Sequence, residues 1–260
     1  MYNVSMDERS KIMRKIMGCV RRAINDYNMI EDNDHIAVGL SGGKDSLVLL
    51  TALAMLRRFS PNPFKLSAIR VDMGFKDASE DEAEALRKYL EDLKVDYYVE
   101  KTDIAEIIFD VRKEDNPCSL CSKMRRGALN TKCNEIGANK LALGHNADDV
   151  TETFLLSFIY EGRLSTFQPT GYMSRTNMTL IRPLIYCPEG DIKGVTNRLN
   201  LPLVHNPCPM DHTSQREYMK NLCSTITKDI PFAKDRMFSA ITHPERYNLF
   251  PPRVSDKNED

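Results

Sequence analysis

Residues 36–56 set an apolar run, Ile36–Leu40, against a helix-forming run, Leu47–Leu56, with Ser41-Gly42-Gly43-Lys44-Asp45-Ser46 between them. An apolar run of five, followed by a glycine pair and then a helix, predicts a buried strand turning directly into a helix. The glycines let backbone N–H groups close around an anion at the helix N-terminus, where the helix dipole also favours negative charge. The loop is not a Walker loop, which needs four residues between its glycines and ends in Lys-Ser/Thr. A strand-loop-helix unit of this kind belongs to parallel sheets, and the pattern on either side agrees. Strands are expected at 35–40, 65–72, 95–100 and 140–143. Helices are expected to run from the loop to near Phe59, and over 80–94, 118–137 and 148–160. Alternating strands and 10–15-residue helices argue an α/β fold with a doubly wound parallel sheet. Ligands of such sheets lie beyond the carboxyl ends of the strands, which is where 41–46 and 144–149 fall.

The flanks read differently. Ile12, Ile16, Val20 and Ile24 recur at four-residue steps, so residues 1–30 are expected to form an N-terminal amphipathic helix before a main domain over 31–205. After residue 165 the pattern weakens. Residues 172–182 suggest a hairpin or extended pair, 188–199 a helix and 201–204 a short strand. Helices over 215–227 and 232–242 make 206–250 a C-terminal helical extension, and 251–260 a polar, disordered tail.

Charge and cysteine usage narrow the class. The net charge is −1, but residues 77–115 hold fourteen acids against six bases, while 1–22 and 118–140 each carry an excess of four bases. A basic face of this kind suits a polyanion such as RNA. No apolar run is long enough to span a bilayer, and Arg9, Lys11, Arg14 and Lys15 interrupt the N-terminus. The expectation is a cytoplasmic protein with no membrane partner, whose seven cysteines are reduced thiols or metal ligands. Cys118 and Cys121 form a C-x-x-C pair after Pro117, and Cys208 follows Pro207 far along the chain. Three thiolates suit a [4Fe–4S] cluster with one open iron. A Cys₃His zinc site with His205 or His212, a redox pair, and buried thiols are the other uses of such a set. Cys19, Cys133, Cys187 and Cys223 lack comparable context.

These motifs together carry a resemblance. Ser41–Ser46 is similar to the PP-loop of ATP pyrophosphatases. Pro117-Cys118-Ser119-Leu120-Cys121 with Arg125-Arg126-Gly127, Leu143-Gly144-His145-Asn146-Ala147-Asp148-Asp149, and Pro207-Cys208 with Gln215-Arg216 resemble the TtcA-like family of tRNA 2-thiocytidine biosynthesis proteins over roughly residues 10–245. Two departures stand out: Gly-His-Asn where that family tends to have Gly-His-His, and a single cysteine at 208 where it often has C-x-x-C. The resemblance implies an ATP-dependent sulfurtransferase that adenylates the C2 oxygen of an anticodon-loop cytidine and replaces it with sulfur delivered through an iron–sulfur cluster. A PP-loop 2-thiouridine synthase, or a cluster-free persulfide enzyme on another substrate, is the alternative.

It also implies roles. Ser41, Gly42, Gly43, Lys44 and Ser46 would hold the pyrophosphate of ATP, and Asp45 would face Mg²⁺. Val71 and Asp72 would lie along the adenosine, and Gly144, His145 and Asp148 would complete the nucleotide site. Arg125 and Asp149 join Asp45 as catalytic groups, and Cys118, Cys121 and Cys208 would ligate the [4Fe–4S] cluster. Lys123, Arg125, Arg126 and Lys132 are the candidate RNA contacts. The implied partners are tRNA, a cysteine-desulfurase-type sulfur donor and a second copy of the chain.

Overall fold

The computed structural model describes residues 6–75, 79–113, 117–205, 207–210, 215–247 and 249. Asn116, Asn206, His212 and the tail 251–260 lie outside them. The strands are β1 His35–Leu40, β2 Lys65–Asp72, β3 Asp96–Lys101, β4 Lys140–Ala142, β5 Thr170–Met173 and β6 Met178–Ile181. They form one sheet in the order β3-β2-β1-β4-β6-β5. Every pairing is parallel except β5 with β6, the hairpin expected near 172–182. The doubly wound sheet read from the sequence is therefore present, with one antiparallel edge. β1 is central and buried on both faces, which is why it is apolar from Ile36 to Leu40 instead of alternating.

The helices are α1 Met6–Asp26, α2 Lys44–Leu56, α3 Glu80–Asp92, α4 Pro117–Glu135, α5 Ala147–Glu161, α6 Glu189–Leu199, α7 Gln215–Asp229 and α8 Ala233–Thr242. On one face of the sheet, α2 is buried from Ser46 to Leu56 beneath α1 and α6. Met13, Ile16 and Val20 of α1 belong to the same core, so the N-terminal helix is integral to the layer it covers. On the other face, Leu129 and Cys133 of α4 pack on Ala37, Ile69 and Leu141. After β3 the chain leaves the β2 side and returns as β4 on the other side of β1. The strand order thus reverses at β1, and the loops after β1 and β4 open side by side.

Two differences from the sequence reading have local causes. Residues 201–204 are irregular, not a strand. Pro202 has no N–H to give, and Leu203 N bonds back to Leu201 O at 2.9 Å, kinking the segment. Leu201 N bonds back to Thr196 O at 3.2 Å, and Val204 N is spent on Gly42 O of the loop after β1, at 3.0 Å. The second difference is a π-helical turn, Glu106–Arg112, where no element was assigned. It ends at Lys113 with φ 49°, and its Ile108 is buried.

At the opposite edge of the strands, Lys140 and Asp34 form a buried ion pair of 2.7 Å. Asp34 also accepts from Asn139 Nδ2 and from Glu31 N, each at 2.7 Å. Lys140→Met leaves that carboxylate buried without its cation, and should cost about 3–5 kcal/mol. Urea unfolding should show a lower midpoint at unchanged slope. Asp34→Asn combined with Lys140→Met should recover part of the loss, since no uncompensated charge remains.

Candidate functional site

The loop after β1 is held by its own serines. Ser46 Oγ donates to Gly43 O at 3.0 Å and accepts from Ser41 N at 3.3 Å, and the two hydroxyls lie 3.2 Å apart. Gly43 is the N-cap of α2 and supplies no side-chain cap. The first N–H groups of α2 are thus left for a ligand, as an anion site requires. Gly42 has φ +85°, and a Cβ there would stand 2.8 Å from Val204 Cβ, so only glycine fits beneath the 201–204 segment.

The segment after β4 packs directly on this loop. A Cβ on Gly144 would lie 3.0 Å from Asp45 C and Ser46 N, both backbone atoms. Asn146 caps α5 by accepting from Asp148 N and Asp149 N at 2.9 and 3.1 Å, while Asp149 Oδ2 accepts from Asn146 N at 2.9 Å. This is a reciprocal capping box with Asp in place of the usual Glu. The amide Nδ2 of Asn146 then donates to Asp45 Oδ1 at 2.9 Å, joining the two loops.

A cleft of about 610 Å³ opens there. Ser41, Lys44, Asp45, Ser46, Arg125, Gly144, His145, Asp148, Asp149, Cys118, Cys121 and Cys208 all line it. Residues from four separate stretches of sequence are brought together. Gly42 and Gly43 shape the loop without lining the cleft. Val71 and Asp72 do not line it either: Val71 packs on the Leu129–Leu141 core, and Asp72 Oδ1 accepts from Gly74 N at 3.0 Å. The next residue, Met73, does line it. Lys132 does not line the cleft, and its ammonium lies on Glu100 at 2.9 Å and on Glu135.

The three thiols form one wall. Cys121 lies within electrostatic reach of Cys118, Cys208 and Arg125, and its Sγ is 3.7 Å from Met73 Sδ. Burial raises the Cys121 thiol, and the Arg125 guanidinium works against that. Behind them a wholly apolar pocket of about 40 Å³ is lined by Phe75, Ile104, Ile108 and Phe109, the last two from the π-helical turn. Three sulfur donors backed by an apolar shell fit an iron–sulfur cluster, whose properties depend on such a shell. Among the described residues no three His, Cys, Asp or Glu side chains converge as for a single ion. A cubane spreads its thiolates more widely than one ion does.

The phosphate end is a network of opposed charges. Lys44 Nζ lies 2.8 Å from Asp45 and 3.0 Å from Glu189; burial opposes its charge, but the two carboxylates outweigh it and raise its pKa. Glu189 also meets Lys193 and Lys220, at 3.0 and 3.1 Å. Asp148 spends both oxygens on protein, accepting from Glu189 N and Lys234 Nζ, each at 2.7 Å. Burial, reinforced by Arg182, Arg216 and Arg126, pushes His145 down to about 3. His145 is therefore neutral, with Nδ1 accepting from Arg182 Nε at 3.1 Å and its proton on Nε2. Its ring lies against Phe167 at 4.8 Å.

Glu152, Glu189 and Lys220 are lining residues absent from the sequence reading, which named Asn146 only as a departure from the family motif. Asn146 was legible as an N-cap three residues before an acid, and Glu152 as the residue one turn beyond Asp148-Asp149. Nothing local announces that Glu189 reaches Lys44.

With this geometry in place, the comparisons decide the family. Residues 11–225 match the PP-loop domain family. The tRNA-cytidine(32) 2-sulfurtransferase of Syntrophotalea carbinolica is 36% identical over 249 residues, 95% of each chain. That of Aliivibrio fischeri is 37% identical over 254 residues, 96% of this chain and 79% of its own. The chain belongs to the tRNA-cytidine(32) 2-sulfurtransferase family of PP-loop proteins. Among solved structures, the U34-tRNA thiolase NcsA from Methanococcus maripaludis, with its [4Fe-4S] cluster, aligns with TM-score 0.74 at 27% identity. The alignment covers 92% of this chain and 81% of that one. Among the described residues of this family member, no helix is long and apolar enough to cross a membrane.

Glu189 gives the site a pH signature. Burial alone would raise its carboxyl, but Lys193, Lys44 and Lys220 hold it down at about 2, below its ordinary 4.5. A lowered folded pKa stabilises fully above the ordinary value and is lost as pH falls from there toward 2. Melting temperatures of wild type and Glu189→Gln should differ most above pH 5 and converge as the pH falls toward 2. A constant gap would show that the ionised carboxylate is not what holds the three lysines.

Proposed function

We propose that the protein catalyses ATP-dependent thiolation of tRNA, replacing the C2 oxygen of an anticodon-loop cytidine, position 32 in the relatives' name, with sulfur. The observation that carries this reading is that one cleft holds both the PP-loop and the three cysteines. Nucleotide activation and sulfur delivery then act on one base.

Oxide is a poor leaving group, so the carbonyl oxygen is first joined to the α-phosphate of ATP with loss of pyrophosphate. The free N–H groups at the start of α2, with Ser41 and Ser46, suit the pyrophosphate as charge builds on it. Lys44 adds a cation beside them and Asp45 a carboxylate for Mg²⁺. Gly144 lets the second loop close on the first, and neutral His145 faces the cleft without adding charge. Asp148 acts by fixing the start of α5, and Asp149 by closing the capping box. Met73, next to Val71 and Asp72, takes the place along the nucleoside. Arg125, one turn from Cys121, stands between the thiols and the developing charge. A cluster held by Cys118, Cys121 and Cys208 would supply an iron at which sulfur can be carried to the activated carbon. In this reading residues 31–205 form the ATP-binding domain, flanked by 1–30 and by 206–250, which brings Cys208 and Arg216 to the cleft. A cysteine-desulfurase-type donor, a homodimer and a cytoplasmic setting belong to the same reading.

RNA backbone contacts fall to Arg126 and Arg216, for which no carboxylate partner stands among the described residues. The rule that A-form helices hide base edges places the target in an unpaired loop. The second reading, a 2-thiouridine target, draws on the NcsA likeness and on Asn146, where the family tends to have histidine.

Nucleoside analysis of tRNA from cells lacking the protein separates the two. Loss of 2-thiocytidine is expected; loss of 2-thiouridine alone would favour the second reading, and an unchanged profile would defeat both. In purified protein, Asp45→Ala should lower the rate on the order of a hundredfold or more with the fold intact. Cys208→Ala should lower iron bound after anaerobic reconstitution, and unchanged iron content would remove Cys208 from the ligand set.

A further inference from the structure

Glu152 is the most deeply set acid of the cleft that no described side chain or backbone group engages by hydrogen bond. It lies on α5, three and four residues beyond Asp149 and Asp148, so the three carboxylates share one helix face. Asp148 is spent on Lys234 and the α6 backbone, and Asp149 on the α5 cap. Glu152 is 5% exposed, lines the cleft, and accepts no hydrogen bond among the described residues. Its oxygens therefore open onto the cleft and not onto a protein donor, so holding the fold together is not what keeps the carboxylate there. The groups facing it are Asp148 and Asp149 from α5, Arg216, Lys220 and Cys223 from α7, and Lys234 from α8. Burial first, then Asp149, pushes its carboxyl up to about 7, with Lys220 and Arg216 working the other way. A carboxyl of that kind changes protonation state in the working range, as a general base must.

We propose that Glu152 is the proton acceptor of the sulfur-transfer step. The inference rests on the thiolation reading above. Its chemistry balances without a redox partner. The carbonyl oxygen displaces pyrophosphate at the α-phosphorus. Hydrosulfide sulfur bonds to the same carbon, the carbon–oxygen bond breaks, and the oxygen leaves in AMP. The adduct still carries the sulfhydryl proton, which must go before the thiocarbonyl forms. One proton is released per turnover, and Glu152 takes it from sulfur. Adenylation comes earlier and needs no such acceptor, because a carbonyl oxygen carries no proton.

The test uses the reconstituted holoprotein with tRNA, ATP and sulfide, comparing wild type, Glu152→Gln and Glu152→Asp. Thiolated nucleoside and ATP–pyrophosphate exchange are both measured from pH 5.5 to 8.5. Glu152→Gln should thiolate about 10²- to 10⁴-fold more slowly, with exchange within about threefold of wild type and no loss of melting temperature. The ascending limb of the wild-type thiolation profile near pH 7 should vanish in Glu152→Gln and return in Glu152→Asp. Sulfide ionises in the same region, so a limb that persists in Glu152→Gln belongs to sulfide and overturns the proposal. Thiolation within about threefold of wild type, or exchange and thiolation falling together, would also overturn it. Wild type yielding no thiolated nucleoside would bring down the functional reading, and this inference with it.

Discussion

The hydrogen bond from Asn146 Nδ2 to Asp45 Oδ1, 2.9 Å long, is the tie on which the site depends. It joins the start of α2 to the start of α5 across the point where the strand order reverses. Without it, the loops after β1 and β4 are two separate anion-binding turns on neighbouring strands. With it, and with Gly144 pressed against the Asp45 backbone, they become one rigid wall. Asn146 does this while satisfying two N–H groups of α5, so the cap and the tie are the same side chain. Rigidity matters because preorganised donors act on developing charge without reorganising at the moment of reaction.

Glu189 plays the corresponding part for the cations. Lys44, Lys193 and Lys220 come from three helices and would repel one another around an empty centre. A carboxylate at their centre holds them at contact distance and keeps Lys44 beside the loop before any nucleotide arrives. Burial disfavours the charge on Glu189, but three ammonium groups more than offset that cost. The same network sets a limit on Lys44. With Asp45 and Glu189 already on its ammonium, an incoming phosphate must compete with carboxylates for it, so binding is an exchange of ion partners rather than capture by a bare cation.

How much of this was legible from sequence follows from the range of the forces. β1 and β2 were readable to the residue, because β1 carries a near-continuous apolar run ended by the glycine pair, and β2 alternates after the Pro61–Pro63 break and ends at Val71-Asp72. The loop Ser41–Ser46 was readable because its chemistry is contained in six neighbouring residues. The C-x-x-C pair predicts one wall of the cleft, since positions three apart on α4 share a face. The segment 201–204 was misread because apolar composition fits a strand and a cover equally well, and only Gly42 beneath it decides. The π-helical turn carries no periodic signature over seven residues. Lys132 looked free because its partner Glu100 lies on β3, thirty-two positions away. Glu189 and Lys44 are farther apart still, and such a pair has no local signal.

The cleft is divided by dielectric as well as by residue type. At the phosphate end, ion pairs are partly open to solvent, which screens them and lets partners exchange. At the sulfur end, Ile108 and Phe109 back the thiols with apolar surface. Arg125 stands at the boundary, close enough to Cys121 to oppose the effect of burial on its thiol. The division sorts the chemistry in space. In the proposed reaction, phosphoryl charge would develop where donors and cations are dense, with the thiols set against the apolar wall. The fold produces this separation by setting α2 and α4 on opposite faces of β1, so that each delivers its N-terminal residues to the same cleft from its own side of the sheet.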